Sequence, residues 1–350
     1  MSEAPNLRAR LRARTNGYTV DPERYALLAR AALAMLTLIV LTGAAVRVTG
    51  SGLGCPTWPK CTDASLYTQL NLHGLIEFGN RVLTFFVSFA TIAAFAGAIR
   101  RRPFRRDLVW LSLLLPLGVV AQAVLGGFTV LYDLAPGFVM SHYILSMLIL
   151  VACVALDWRA HHEPASREPR VAVDRRLALG VRALIPLGAI TIFAGTAASA
   201  AGPHAGGEGT HDVVKRLTFK GADTLRFVVE QHARLATVVG LLAVALWLLA
   251  RRTGVSGAQR KPLTVLCLLL AAQGVVGGVQ YWQHLPAEIV WVHVALAAMT
   301  WLAILRTVAE LGRPQPRGLL GADGRGDRDE PAPHAAATEP AGLGAPVARS

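Results

Sequence analysis

Eight apolar stretches recur along this chain, and they constrain its fold more than any other feature. They lie at residues 26–48, 75–99, 108–131, 138–157, 178–200, 227–250, 263–282 and 288–310. A helix of about twenty residues crosses the hydrocarbon core of a bilayer, and the first stretch is too long for a cleaved signal peptide. With 53% hydrophobic and 16% charged residues, the chain carries too little charge for a soluble protein of 350 residues. The sequence therefore predicts an all-α integral membrane protein with eight transmembrane helices.

The basic residues indicate how the spans are oriented. A net charge of +13 can indicate nucleic-acid binding. Here, however, the basic clusters at 8–14, 100–106, 159–176 and 251–261 all fall on one side of an eight-span chain. The opposite side carries few, mainly in its longest loop. The positive-inside rule then predicts a protein of the cell membrane with both termini cytoplasmic. This distribution indicates that the basic residues lie beside a lipid bilayer and do not bind nucleic acid.

The chain contains an internal duplication. "AQAVLGGFTVLYDL" at 121–134 and "AQGVVGGVQYWQHL" at 272–285 match at an offset of 151, which also relates His142 to His293. An even number of spans in each half makes the two repeats parallel. We therefore predict two pseudo-symmetric four-helix bundles. The predicted segments are a cytoplasmic N-terminal segment at 1–25, the first bundle at 26–157, a cytoplasmic linker at 158–177, the second bundle at 178–310 and a disordered cytoplasmic tail at 311–350.

Four histidines lie at one depth, near the external ends of even-numbered spans. They are His73, His142, His232 and His293. Imidazoles on facing helices, among small apolar residues, suit a planar haem better than zinc, which usually takes a third protein ligand. The second half has two such candidates, His232 and His293, whereas the first half has Asn80 where the repeat places His232. The register of these two spans is open between offsets of 152 and 153.

Glycine pairs accompany the histidines in both halves, at 126–127 and 277–278. They permit close approach either of a flat macrocycle or of another helix. Both interpretations stay open.

Glu77 is the other candidate, because His73 and Arg81 share its helix face at four-residue spacing. A carboxylate beside an incompletely ligated iron could stabilise positive charge on an oxidised substrate carbon, or handle a proton from water. The alternative is an ion pair of Glu77 and Arg81 that only neutralises both charges.

The first external loop contains "CPTWPKC", with Cys55 and Cys61. Outside the cytoplasmic membrane such a pair is expected to oxidise, either to a structural disulfide or to a redox-active one. No C-x-x-C-H motif indicates covalent haem attachment. Cys153 and Cys267 lie within spans and are expected to be buried apolar residues.

These motifs resemble the haem A synthase family. The segments that carry the resemblance, between about residues 26 and 310, are "TGAAVRVTGSGLGCPTWPKC", "IEFGNR", "LGGFTVL", "SHYILSM", "QHARLA" and "WVHVALA". The resemblance implies that haem b is bound between His232 and His293. It also implies that the first half binds haem O, with His142 as an axial ligand and Glu77 as the essential acid. A ring methyl would be oxidised to the formyl group of haem A by successive hydroxylations, with oxygen from water.

The chain departs from the family at Asn80, where many members have histidine. This leaves the second axial ligand of the substrate haem open, and His73 could supply it only if the chain bends. Arg81 and Arg47 are candidates for binding haem propionates.

The resemblance further suggests a farnesylating haem O synthase as the partner that hands over the substrate, an electron acceptor that the sequence does not identify, and a possible homo-oligomer. The rival functions are a non-catalytic dihaem electron carrier and a transporter built from repeats.

Overall fold

The structure, a computed structural model, describes residues 19–68, 71–163 and 173–312. Within them the chain forms eight long α-helices and two short 3₁₀ turns, Glu208–Thr210 and Gly221–Asp223. The helices are α1 Pro22–Val48, α2 Leu72–Arg100, α3 Arg106–Leu131, α4 Pro136–Ala160, α5 Arg175–Ala201, α6 Thr224–Arg252, α7 Gly257–Trp282 and α8 Ala287–Leu311. All eight are long and apolar enough to cross a membrane. The predicted all-α, multi-pass membrane fold is confirmed.

Three of the predicted segments fall largely or partly outside the described residues. These are the N-terminal segment up to residue 18, positions 164–172 of the linker and the tail from 313 onward. The disorder predicted for the tail is therefore a prediction about residues outside the described part of the chain.

Several helices begin at a polar residue that satisfies the free backbone N–H groups of the first turn. Asp21 accepts from the amide of Arg24 at 2.8 Å, and Asn71 accepts from that of Gly74 at 2.7 Å. The Asn71 cap explains why α2 begins at Leu72, three residues before the predicted apolar span. His73 therefore lies in the first turn of α2.

Corresponding helices of the two halves have the same length. The pairs α1 and α5, α2 and α6, α3 and α7, and α4 and α8 have 27, 29, 26 and 25 residues in both members. Because α2 begins at Leu72 and α6 at Thr224, their offset is 152, which pairs Asn80 with His232. In this register Glu77 corresponds to Val229 and has no acidic counterpart. The pseudo-symmetric arrangement of two bundles stays a prediction, which these lengths support.

The turns before α4 and α8 also repeat. Leu134 donates from its amide to the carbonyl of Thr129 at 2.8 Å, and Leu285 donates to that of Gln280 at the same distance. Each turn contains two consecutive residues with positive φ, namely Asp133 and Leu134 in the first and His284 and Leu285 in the second. Since each turn sets where the following helix begins, His142 and His293 lie at equal distances from their turns.

Helix α8 joins the two halves, because it packs against α1 and α4 as well as α5 and α7. The Trp301 indole donates to the carbonyl of Met147 on α4 at 3.0 Å. Five residues further along α8, Arg306 Nη1 lies 2.8 Å from Oδ2 of Asp157 on α4, whose carboxylate is buried. The helix that carries His293 is thereby fixed to the first half.

Candidate haem-binding and acidic site

Glu77 lies on α2 with only 8% of its side chain exposed. Its Oε1 accepts hydrogen bonds from Arg81, at 2.6 Å from Nη2 and 3.1 Å from Nε. Its Oε2 accepts from the backbone amide of Cys55 at 2.7 Å. Both carboxylate oxygens are therefore held by donors, which stabilise the anion and fix its orientation.

Arg81 connects this carboxylate to the first external loop. Its Nη2 donates to the carbonyl of Cys55 at 2.9 Å, and its Nη1 donates to those of Thr57 and Lys60 at 3.0 and 3.2 Å. With the two bonds to Glu77, all five guanidinium N–H groups are used. The ion pair that the sequence offers as the alternative to a catalytic acid exists, and it also anchors the loop. A haem propionate could bind Arg81 only by displacing one of these acceptors, so that role stays a prediction.

The loop is closed by a disulfide between Cys55 and Cys61, and both cysteines are buried. This pairing agrees with the expectation from the sequence. Its redox activity stays a prediction. Of the two remaining cysteines, Cys153 is buried and Cys267 is partly buried in the spans.

His232 and His293 face each other in the second half, with ring centres 6.1 Å apart and planes inclined by 78°. A metal–nitrogen bond of about 2 Å on each side puts the centres of two axial imidazoles roughly 6 Å apart. The His232 Nδ1 lies 2.9 Å from the carbonyl of Thr191. Because a carbonyl only accepts, Nδ1 carries the proton and Nε2 is left with its lone pair, as a metal ligand requires. The pair fits a six-coordinate haem.

His142 lies on α4 in the first half, against Gly126 of α3. A Cβ built at Gly126 would lie 3.1 Å from Cε1 of His142, and one built at Gly277 would lie 3.1 Å from Cε1 of His293. The two histidines therefore pack in the same way, each against a glycine of the preceding helix. Their Nδ1 atoms are buried and have no hydrogen-bond partner among the described residues. Buried polar atoms without a hydrogen-bond partner are unusual in folded proteins, and here they are consistent with a group that binds nearby.

The position equivalent to His232 differs in the first half. Here Asn80 Oδ1 accepts a 2.7 Å hydrogen bond from the hydroxyl of Thr42 on α1. The first half therefore offers one imidazole, an amide and the buried Glu77. Its fit to a haem rests on His142 alone.

The glycine pairs divide into distinct environments. Gly126 and Gly277 face histidine rings, as described above. A Cβ at Gly127 would lie 2.8 Å from Cδ2 of Trp58 in the disulfide loop, whereas no described residue outside the helix itself approaches one at Gly278 within 4 Å. The pairs thus make room for side chains, a third possibility beside the two that the sequence left open.

His73 is held by the external loops. Its Nδ1 lies 2.8 Å from the hydroxyl of Ser51, and Gly209 of the loop between α5 and α6 lies against its ring. A cavity of about 320 Å³ opens beside it, lined also by Asn71 and Thr210. The idea that His73 is an axial ligand stays a prediction.

Arg47 donates from Nε to the carbonyl of His204 in the loop between α5 and α6, at 3.3 Å. The same loop meets the first external loop through the amide of Gly52, which donates to Gly206 at 2.8 Å. Arg47 thus helps to hold the loop of the second half over the first half. Its predicted role in propionate binding stays a prediction.

Comparison with known proteins places the chain in a family. The model of the family described as "Cytochrome oxidase assembly protein" matches residues 26–305. The chain belongs to this family. The match reaches all eight helices, although it begins after the start of α1 and stops before the end of α8, and it contains every candidate residue; the resemblance to haem A synthases is confirmed.

Individual members of the family are distant from this chain. It is 31% identical over 128 residues to "Heme A synthase" of Lysinibacillus sphaericus, which covers 36% of this chain and 42% of that protein. It is 32% identical over 144 residues to "Heme A synthase" of Geobacillus thermodenitrificans, which covers 39% and 44%. A third relative, "Protoheme IX farnesyltransferase" of Thermus thermophilus, is 27% identical over 301 residues, which covers 82% of this chain and 48% of that protein. The chain spans less than half the length of these relatives.

Two features of the site were missed by sequence reasoning. Trp58 was seen only as part of a cysteine loop, and nothing local indicates that its ring reaches Gly127. The Thr191 carbonyl, which orients His232, is a backbone group and leaves no mark in the sequence.

Proposed function

We propose that this family member is a haem A synthase, which oxidises a ring methyl of haem O to a formyl group. Written in full, R–CH₃ + H₂O gives R–CHO, four protons and four electrons. The observation that supports this most is the asymmetry of the two repeats. One half has two facing imidazoles, and the other has one imidazole and a buried carboxylate.

The second half is proposed to hold haem b through His232 and His293. The spacing of the rings and the hydrogen bond to the Thr191 carbonyl support this assignment. When bound there, haem b supplies one-electron transfer, which suits a six-coordinate iron without an open position. The chain's contribution is to fix His232 in one tautomer and to anchor His293 through α8.

The first half is proposed to bind the substrate through His142, beside Glu77. Held by Arg81 and the Cys55 amide, the Glu77 carboxylate can stabilise positive charge that develops on the substrate carbon. It can also take a proton from the attacking water. The Asn80 amide, with its oxygen bound by Thr42, leaves the second axial position without an imidazole. This suits a substrate that must react rather than a haem that only carries electrons.

Both external loops lie over the first half, which supports chemistry there. The amide of Gly209, from the loop between α5 and α6, donates to the carbonyl of Gly50 at 3.1 Å, and the amide of Gly52 donates to that of Gly206. A covered site limits the access of bulk water and strengthens the electrostatic effect of Glu77.

We further propose that the protein lies in the cytoplasmic membrane with both termini in the cytoplasm. Because the substrate is apolar, direct transfer from a haem-farnesylating enzyme is expected. Haem b, held by His232 and His293, would supply the route for the electrons to a further acceptor, and the protein can act as a monomer or a homo-oligomer.

The test is to express the full chain with a source of haem O and to extract the pigments. The wild type should accumulate haem A, and Glu77→Gln should reduce it at least about 100-fold, the usual scale for losing a positioned acid or base. The matched control is Glu230→Gln on α6, whose carboxylate is 44% exposed and paired with Arg226 and Arg234. Normal haem A in Glu77→Gln would refute the assignment of Glu77.

The same preparation separates the rival functions. A dihaem electron carrier would contain haem but yield no haem A from haem O. A transporter would be purified without any Soret or alpha band. Either result would refute the proposed function.

A further inference from the structure

Trp58 stands at the tip of the disulfide loop, and its position suggests a role for the loop. The loop stem is fixed, because Arg81 binds the carbonyls of Thr57 and Lys60 on either side of the tip. The Trp58 ring lies on Gly127 of α3 while 41% of the residue stays exposed. The ring is thus a cover rather than a core residue.

The repeat shows that this contact is specific to the first half. Gly126 and Gly277 both receive a histidine ring at the same distance. Their neighbours differ, since Gly127 is covered by Trp58 and the space at Gly278 is open. Consecutive helix residues point about 100° apart, so Trp58 and His142 lie on adjacent sides of α3. The cover therefore lies beside the proposed substrate ligand and has no equivalent beside His293.

The loop is also bound to the proposed acid. The Cys55 amide donates to Glu77, and the Cys55 carbonyl accepts from Arg81. If the loop lifted, Glu77 would lose a donor at the moment that Trp58 left α3. The loop that carries the cover is therefore also the loop that binds the carboxylate.

We propose that Trp58, seated on Gly127, is a lid that retains the half-oxidised substrate in the first half between the two hydroxylations. This inference rests on the proposed function. The first step gives R–CH₂OH from R–CH₃ and water, with release of two protons and two electrons, and the second step must act on the same carbon. An alcohol that escapes after the first step is lost as a side product, so a lid at this position raises the yield of the aldehyde.

The test compares Trp58→Ala, Gly127→Ala and the conservative Trp58→Phe in the full-length protein, with Gly278→Ala as the matched control. The first readout is the ratio of the hydroxymethyl haem to haem A in pigment extracts. Trp58→Ala removes the ring, and Gly127→Ala displaces it, so both should raise this ratio about tenfold, the scale of a lost well-packed contact. Trp58→Phe keeps an aromatic ring and should stay near the wild type, as should Gly278→Ala.

The second readout does not depend on activity. Since Cys55 and Cys61 are buried, a water-soluble phosphine can reduce their disulfide only when the loop opens. Reduction should be several-fold faster in Trp58→Ala and Gly127→Ala than in Gly278→Ala.

The outcomes separate this proposal from the proposed function. If the wild type makes no haem A, the proposed function fails, and the phosphine rates still decide whether Trp58 closes the loop. If haem A forms and the pigment ratio of Trp58→Ala equals that of the wild type, the lid is refuted while the function stands. A parallel fall of both pigments at an unchanged ratio shows a purely structural role and also refutes the lid.

Discussion

Gly277→Ala should release the proposed haem b from its α8 ligand while leaving the protein folded. A Cβ at this position lies 3.1 Å from Cε1 and 3.5 Å from Nδ1 of His293. Ordinary carbon contacts are about 3.5–4.0 Å, so the ring must retreat by roughly 0.4–0.9 Å. Metal–ligand distances in proteins hold within about 0.2 Å of their ideal values. The displacement therefore exceeds what an iron–imidazole bond tolerates.

Gly278→Ala is the matched control, one residue further along the same helix. Both substitutions replace glycine by alanine in a helix interior, a gain in helix propensity of about 0.5–1 kcal/mol that is common to both. Only Gly277→Ala meets the imidazole. A difference between the two variants therefore reports the His293 contact and not backbone stiffness.

The assay is the haem b content per mole of purified protein, together with the alpha band of the reduced form. We expect Gly278→Ala to match the wild type and Gly277→Ala to lose most of the low-spin band, with both variants still folded. Identical spectra and haem contents in the two variants would refute the assignment of His293 as a ligand seated by Gly277.

Three further results are expected. Asp157→Asn removes the buried anion that Arg306 faces, so thermal melting should show a loss of about 3–5 kcal/mol, whereas an unchanged melting temperature would contradict a buried ion pair there. Replacing Cys55 and Cys61 by serine removes a short cross-link and should cost about 2–3 kcal/mol in guanidinium unfolding; a cost near zero would show that Arg81 alone holds the loop. Trp301→Phe removes the indole donor between α8 and α4 and should cost about 1 kcal/mol in the same assay, with haem content per folded protein unchanged.

The fold could be predicted from the sequence because membrane-spanning helices can be recognised by the length and the apolar composition of their segments. The predicted spans differ from the helices mainly at their ends. For example, the sixth was expected at 227–250 and runs over Thr224–Arg252. Hydropathy ends where apolar residues end, whereas a helix continues through polar residues until its backbone groups find other partners.

The histidines could be singled out for a similar reason, since a duplicated chain displays equivalent positions at a constant offset. What the sequence could not provide were contacts between distant segments. Asp157 receives Arg306 from α8, and His232 receives a backbone carbonyl from α5. No local pattern joins such partners, because only the packed helices bring them together. Glu77 was predicted to pair with Arg81, but the anchoring of the disulfide loop by that pair was not.

The two halves share most of their helical scaffold and differ at the residues to which the proposed function gives separate tasks. Helix lengths, the turns before α4 and α8 and the glycine seats of His142 and His293 are shared, so these features are set by the scaffold. The differences are few: an amide in place of an imidazole at Asn80, a carboxylate at Glu77 and a covered glycine at 127. Under the proposed function, each of these differences suits a substrate site with an acid beside it better than a haem that only exchanges electrons. The positions at which the two halves differ are therefore the ones to test first for a role in function.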